Sequence, residues 1–351
     1  EHIVFILAPR VRCCSEICSS SVEVVLKTVC ASRLLALRVS SREKEQHIVP
    51  GLNSLAPCPH KVFEVIYNMK RISVIIPTYN CKSEKKNCIE IVLRALLNQT
   101  FRTFEVVIVD NATNDDTLAS LSPLFDLFSE RAIEVNIVRC GVRGNKCLAR
   151  NKGAEAAKNE ILVFMDDDTV LVTAHALEFI SNQLQRQEFA CGAKRYWTIL
   201  HWDGEKALAE SRANRFDYLK SIAHLPCGIK RGSGMRDLSE FTWIACFGAI
   251  WKADFEEING FDINYSGWGR HDMDLMLRLL VRDFTFVNLF DKVSVIHLNH
   301  KVIQEDLGKK RRNISYYLEK EKRSGVIFKP NHLFGVYEGD GEEILIKRTE
   351  G

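Results

Sequence analysis

The sequence has little excess of charge. Against 48 Lys and Arg stand 45 Asp and Glu, a formal net charge of +3 over 351 residues. So even a balance gives no general attraction for nucleic acid, and no such partner is expected. Long apolar runs are missing too. No window reaches the roughly 20 charge-free apolar residues of a membrane-spanning helix. The nearest attempt, SSSVEVVLKTVCASRLLALRVSS, is interrupted by Glu23, Lys27, Arg33 and Arg38. It reads as an amphipathic helix with a basic face, lying on a membrane or on the main domain, or as a peripheral segment. The 12 cysteines make no CxxC pair and no zinc spacing. Most beyond residue 80 lie in apolar contexts such as WIACFGAIW (243–251), where Cys packs as a small hydrophobe. A reducing, cytoplasmic setting is expected, with peripheral membrane association left open. A glycine-rich phosphate loop is also absent, because PTYNCKSEKK (77–86) stands where one would follow the first strand.

What is present is an ordinary globular composition, 46% apolar and 26% charged, enough for one large domain or two modest ones. Residues 1–68 are Cys- and Ser-rich and include a linker-like PGLNSLAPCPHK (50–61), so they read as an appendage. The functional domain is expected from Met69. ISVIIP (72–77) and FEVVIVD (104–110) are short buried-strand runs, and between them Ile89, Val92, Leu93, Leu96 and Leu97 recur at helical spacing. DDTLASLSPLFDLF starts a helix, IEVNIVR is a strand, NKCLARNKGAEAAK a helix and EILVFMDDD a strand. This alternation predicts an α/β fold, a mainly parallel Rossmann-like sheet flanked by helices, with ligands beyond the carboxyl ends of the strands. Residues 69–188 form the regular half. Residues 189–300 loosen into a smaller mixed α/β region, and 301–351 read as a helical extension and tail, with a small hairpin around Gly339 to Gly341.

ILVFMDDDTVL (161–171) drives three carboxylates out of an apolar strand. Residues two apart share a face, so Asp166 and Asp168 point into one cleft, where hard oxygen ligands suit Mg²⁺ or Mn²⁺. A solvated turn with Asp168 capping the next segment is the competing reading. VSVIHLNH (293–300) offers His297 or His300 as a further ligand and favours the metal. Asp110 in VDNATNDD (109–116) suits a uracil or ribose, or an Asx turn. Arg150 suits nucleotide phosphates or a base edge, or a surface ion pair. GWGRHDMDL (267–275) sets an aromatic plate, Trp268, between glycines and delivers Asp272 at a helix start, where an ionised Asp serves as general base. A capping Asp beneath a packed Trp is the alternative, and describes Asp274 better than Asp272. LGKKRRNISYYLEKEKR (307–323) is expected to pack on the domain, with pairing to another subunit or approach to an anionic membrane as the other choices.

ISVIIPTYN, FEVVIVDNATNDDT, LARNKGAEAAKNEILVFMDDDT, GAIWKADFEEINGFD, GWGRHDMDL and VIHLNH, in that order, resemble a family 2 glycosyltransferase of GT-A fold. The later pieces resemble a galactosyltransferase-type region with a GWGxED motif. The resemblance runs from Ile72 to His300. It implies inverting, metal-dependent transfer from a nucleotide-sugar, usually a UDP-sugar, to a saccharide, lipid-linked glycan or peptide. Carried over, Pro77, Thr78 and Tyr79 line the uridine pocket, Asp110 holds uracil or ribose, and Arg150 holds the nucleotide. Asp166, Asp167 and Asp168 form the donor-binding acidic motif, with Asp168 the direct metal ligand and Asp166 nearer the ribose and a second candidate ligand. His297 completes the coordination of Mn²⁺ or Mg²⁺, with His300 in reserve. Asp272 is the base, while Trp268 and Gly269 face the acceptor. His271 stands where the family has an acceptor-contacting Glu, which implies altered acceptor choice. Two other readings compete: a binding relative that has lost turnover, and a nucleotidyltransferase, against which the missing glycine loop counts.

Overall fold

The computed structural model describes residues 24–30, 33–39, 70–141, 143–224, 246–267, 269–300, 305–322, 328–330 and 337–339. The chain divides into two compact units, Glu1–Met69 and Lys70–Gly351. In the first, strands β1 (Val24–Cys30) and β2 (Arg33–Val39) pair antiparallel, with Val24 opposite Val39 and Cys30 opposite Arg33. This corrects the amphipathic helix expected there. Val24, Val25, Thr28 and Val29 are β-branched and favour extended backbone.

The second unit is built on a seven-stranded sheet. Its strands are β3 (Ile72–Thr78), β4 (Phe104–Asp110), β5 (Glu134–Arg139), β6 (Ile161–Met165), β8 (Glu188–Cys191), β10 (Phe247–Trp251) and β11 (Thr285–Asn288), in the order β11-β8-β10-β6-β3-β4-β5. β6, β3, β4 and β5 run parallel, and β10 lies antiparallel to both β6 and β8. β3, β4 and β6 are buried at every residue, which is why they read as unbroken apolar runs. β5, at the edge, is half-exposed.

The Cys88–Leu97 helix lays Ile89, Val92, Leu93, Leu96 and Leu97 on one face of the sheet. The Lys146–Ala156 helix covers the other face through small residues. At Gly153 a Cβ would overlap the Ile75 and Val109 side chains, so only glycine lets this helix come so close. The six described cysteines, Cys81, Cys88, Cys140, Cys147, Cys191 and Cys246, are buried free thiols. A second, three-stranded sheet joins β7 (Thr169–Leu171), β12 (Ser294–His297) and β9 (Lys194–Trp197) in the order β7-β12-β9.

The Glu305–Lys322 helix packs on this unit, the choice expected by default. Lys320 Nζ lies 2.7 Å from Asp262 Oδ2, Tyr316 Oη donates to the same oxygen at 3.0 Å, and Tyr317 is buried. β13 (Phe328–Pro330) pairs antiparallel with β14 (Tyr337–Gly339), while the hairpin expected around Gly339 to Gly341 runs into 340–351, outside the described residues. Among the described residues no helix is long and apolar enough to cross a membrane.

Candidate active site

β6 carries the chain through the core to Met165, and the three carboxylates follow at once. β7 then begins at Thr169 and pairs with β12 so that His297 faces Thr169, while Leu298 N donates to the Asp168 carbonyl at 2.8 Å. This register brings both histidines to Asp168. His297 Nδ1 is 3.7 Å from Asp168 Oδ1, and His300 Nε2 is 3.1 Å from Oδ2.

The three carboxylates take separate partners. Asp166 Oδ1 accepts from Arg150 Nη2 at 2.7 Å. Asp167 accepts from Thr78 Oγ1 at 2.9 Å and from Lys85 Nζ at 2.6 Å, and Lys85 Nζ also lies 3.3 Å from Asp168 Oδ2. Asp167 and Asp168 are each 3% exposed, so the solvated-turn alternative does not describe them. Lys85 was not among the residues singled out in the sequence. Its stretch, PTYNCKSEKK, stood out for missing glycines, although its lysines are the visible signal of a cation beside the acidic turn. Burial alone would raise the Asp168 carboxyl, but Lys85, His297 and His300 together hold it well below the ordinary carboxylate range. Burial would lower the Lys85 ammonium, and Asp167 and Asp168 instead raise it well above its usual value. Burial pushes the His297 imidazole down in spite of Asp168, so Lys85 supplies most of the compensating charge.

Asp272 comes from a different part of the chain. The chain turns through Gly267 (φ 73°), Gly269 (φ 106°) and Arg270 (φ 69°) into the His271–Val281 helix. Glycines suit two of these left-handed positions, and Gly267 N donates to Gly144 O at 2.8 Å. Trp268 lies outside the described residues. Asp272 keeps 23% side-chain exposure, and its Oδ1 lies 2.9 Å from His271 Nε2. His271 itself is buried, with Nε2 3.1 Å from Arg150 Nη1. Arg150 therefore spans from Asp166 to the His271–Asp272 pair. It is 1% exposed, with its guanidinium 5.3 Å from the Phe261 ring centre, and is no surface ion pair. Asp274, better described in the sequence as a cap, lies in the helix's first turn, and the N-cap position is Arg270. It accepts from Arg278 Nε at 2.9 Å, pairs with Lys320, and receives Tyr265 Oη at 3.3 Å.

The expected uridine pocket residues lie side by side at the ends of β3 and β4, where Thr78 pairs with Asp110. Pro77 is buried within β3, and Tyr79 is half-buried with the Arg143 guanidinium 4.9 Å from its ring centre. Asp110 is buried, and its Oδ1 accepts from Thr113 N, three residues on, at 2.8 Å. Asn80 (φ 41°) pins the two loops together. Its Nδ2 donates to Asn114 Oδ1 at 2.6 Å and its Oδ1 accepts from Asn114 N at 2.9 Å.

Among the described residues no group of three or more His, Cys, Asp or Glu forms a ready-made ion cage. Two side chains could nevertheless hold an ion. Asp168 Oδ1 and His297 Nδ1 are both buried without a hydrogen-bond partner, and their 3.7 Å separation is within the span of two bonds of about 2.1 Å to one ion. That fits a cation shared with substrate phosphates better than one enclosed by protein.

A mainly parallel sheet with one antiparallel strand, whose strand ends gather a triple-carboxylate turn, is the GT-A fold of glycosyltransferases. Residues 73–230 match glycosyl transferase family 2, and residues 235–301 match the family described as the N-terminal domain of galactosyltransferase. The chain is similar to family 2 of the glycosyltransferases over residues 73–230. It is similar to glycosyltransferase GlyG of Streptococcus pneumoniae, 26% identical over 133 residues, covering 38% of this chain and 41% of that protein. A second relative is the UDP-Glc:alpha-D-GlcNAc-diphosphoundecaprenol beta-1,3-glucosyltransferase WfaP of Escherichia coli, 32% identical over 121 residues, 34% of this chain and 42% of that one. The chain thus spans about two fifths of the length of these curated relatives. Among solved structures it is similar to the mannosyltransferase PcManGT from Pyrobaculum calidifontis, at 17% identity and TM-score 0.47, covering 73% of this chain and 65% of that one.

Proposed function

We propose that the protein transfers a sugar, with inversion, from a UDP-sugar to a hydroxyl of a saccharide, lipid-linked glycan or peptide acceptor. The observation that carries this reading is the Arg150 bridge. One buried guanidinium links the acidic turn on the donor side to the Asp272 carboxylate, so the two halves of a transfer site meet at one group. Thr78, Tyr79 and Asp110 receive the uracil and ribose at the β3 and β4 ends. Asp168 and His297 would hold Mn²⁺ or Mg²⁺, with Asp166 beside the ribose and in reach as a further ligand. When bound, that ion offsets the charge of the departing diphosphate.

Asp272 takes the proton of the acceptor hydroxyl. The acceptor oxygen bonds to the anomeric carbon on one face while the bond to the diphosphate breaks on the other. Arg150 and Lys85 carry permanent positive charge next to this line of attack, in a site already dry enough to strengthen it. Trp268 and Gly269 border the acceptor, in a cytoplasmic, membrane-peripheral setting. The test is UDP release from a panel of UDP-sugars with Mn²⁺ and varied acceptors. Release by the native protein, abolished in Asp168→Ala, supports the reading. Release that Asp168→Ala leaves intact contradicts it, as does UDP binding without release from any donor.

A further inference from the structure

His271 is the position at which this chain departs from the glycosyltransferase motif, and its surroundings give it work other than touching a sugar. The ring is 3% exposed. Its Nε2 lies 3.1 Å from Arg150 Nη1 and 2.9 Å from Asp272 Oδ1. A guanidinium has donors only, so the Arg150 contact is a hydrogen bond when Nε2 keeps its lone pair, whereas the Asp272 contact is one when Nε2 carries a proton. The first arrangement puts the ring proton on Nδ1, which is buried without a hydrogen-bond partner. The second sets one N–H against another at Arg150.

We propose that His271 takes the first arrangement, and that it is a positioning residue whose Nε2 lone pair raises the proton affinity of Asp272. This rests on Asp272 being the base of the proposed transfer. An ionised Asp272 oxygen facing a lone pair is unfavourable. Once Asp272 has taken the hydroxyl proton, its O–H donates to that same nitrogen. The contact therefore improves as the reaction proceeds, which lowers a barrier instead of merely tightening ground-state binding. The proton moves from the acceptor hydroxyl to Asp272, the new C–O bond forms and the bond to the diphosphate breaks. No other redistribution is required.

Among the described residues these groups face the ring. Arg150 comes from the Lys146–Ala156 helix with Asp166 behind it, Asp272 from the same helix as His271, and Phe261 forms an apolar wall with its ring centre 6.3 Å away. Cys147, next to this set, is kept uncharged because burial pushes its thiol up. Arg150 retains Asp166 through Nη2, so it stays anchored while Nε2 changes partner.

The test compares the native protein, His271→Gln and Asp272→Asn. Glutamine can turn its amide oxygen to Arg150 and its N–H to Asp272, which stabilises the ionised base. The expected result is a kcat lower by about tenfold or more, donor and acceptor KM within about twofold, and an acid limb of kcat moved to lower pH by about half a unit or more. Unchanged kcat overturns the proposal, and unchanged kcat with a raised acceptor KM makes His271 an acceptor contact. A second measurement needs no turnover and no variant at His271. Imidazole ¹⁵N spectra of the native protein, with the His271 signal identified by its shift in Asp272→Asn, are expected to show the proton on Nδ1. A proton on Nε2 overturns the proposal even if His271→Gln fails to fold. Native protein that releases UDP from no donor defeats the proposed function instead, while the spectra still decide the arrangement at His271.

Discussion

Replacing Lys85 by methionine is the sharpest probe of the donor side. The side chain is 14% exposed and its Nζ sits 2.6 Å from Asp167 and 3.3 Å from Asp168, whose side chains are only 4% and 5% exposed. Methionine keeps the length and apolar stem while removing the charge, so two adjacent buried carboxylates lose their shared cation. Breaking a buried ion pair from one side costs about 3–5 kcal/mol. His297 and His300 offset part of it, so about 3 kcal/mol is expected. For a unit of this size each kcal/mol moves the melting temperature by roughly 2–4 °C, and Lys85→Met should melt about 6–12 °C lower. A bound cation would restore part of the loss. At a hundred times its dissociation constant an ion adds about 2.7 kcal/mol, and Mn²⁺ should stabilise the variant more than the native protein. The assay is thermal unfolding with and without Mn²⁺. Melting within about 1 °C of native, or equal Mn²⁺ responses, would refute the reasoning.

Four further outcomes follow from the same geometry. Asp168→Ala should lose the Mn²⁺-dependent rise in melting temperature seen in the native protein, measured by calorimetry. Arg150→Lys keeps the charge but not the fork to Asp166 and His271, so turnover should fall about a hundredfold or more with a far smaller change in melting temperature. Lys320→Met removes the shared cation of Asp262 and Asp274 and should cost about 3 kcal/mol, with hydrogen exchange rising first in the Glu305–Lys322 helix. Burial would raise the Asp274 carboxyl, and Arg278 and Lys320 reverse that, leaving it below its ordinary 3.8. Its contribution is therefore complete above that value and lost as pH falls through the depressed one. The melting difference between native and Asp274→Asn should be constant from about pH 7 to 5 and shrink below about pH 4.

Much of the sheet was legible because its central strands are buried on both faces. β3, β4 and β6 appear as short β-branched runs cut by Pro77, Asp110 and Asp166, and the Cys88–Leu97 helix announces itself by spacing. The acidic turn was legible because charge so rarely follows an apolar run without purpose. Lys85 was not, since it reaches Asp167 from 82 residues away and nothing local marks which of several lysines turns inward. The same limit hid the inward turn of His271 toward Arg150, 121 residues apart, and the Lys320 anchor on Asp262 and Asp274. In the first unit, apolar and basic residues suggested a helix, but β-branching decided for the β1–β2 pair.

The proposed transfer depends most directly on Asp272 acting as a base and not as a binding group. UDP affinity by calorimetry and turnover of the best donor, measured on the same preparations of native protein and Asp272→Asn, separate the two. The expected result is turnover lower by about a thousandfold or more with UDP affinity within about threefold of native. Turnover that survives the substitution, or a loss of UDP affinity that accounts for the whole fall in rate, would contradict it.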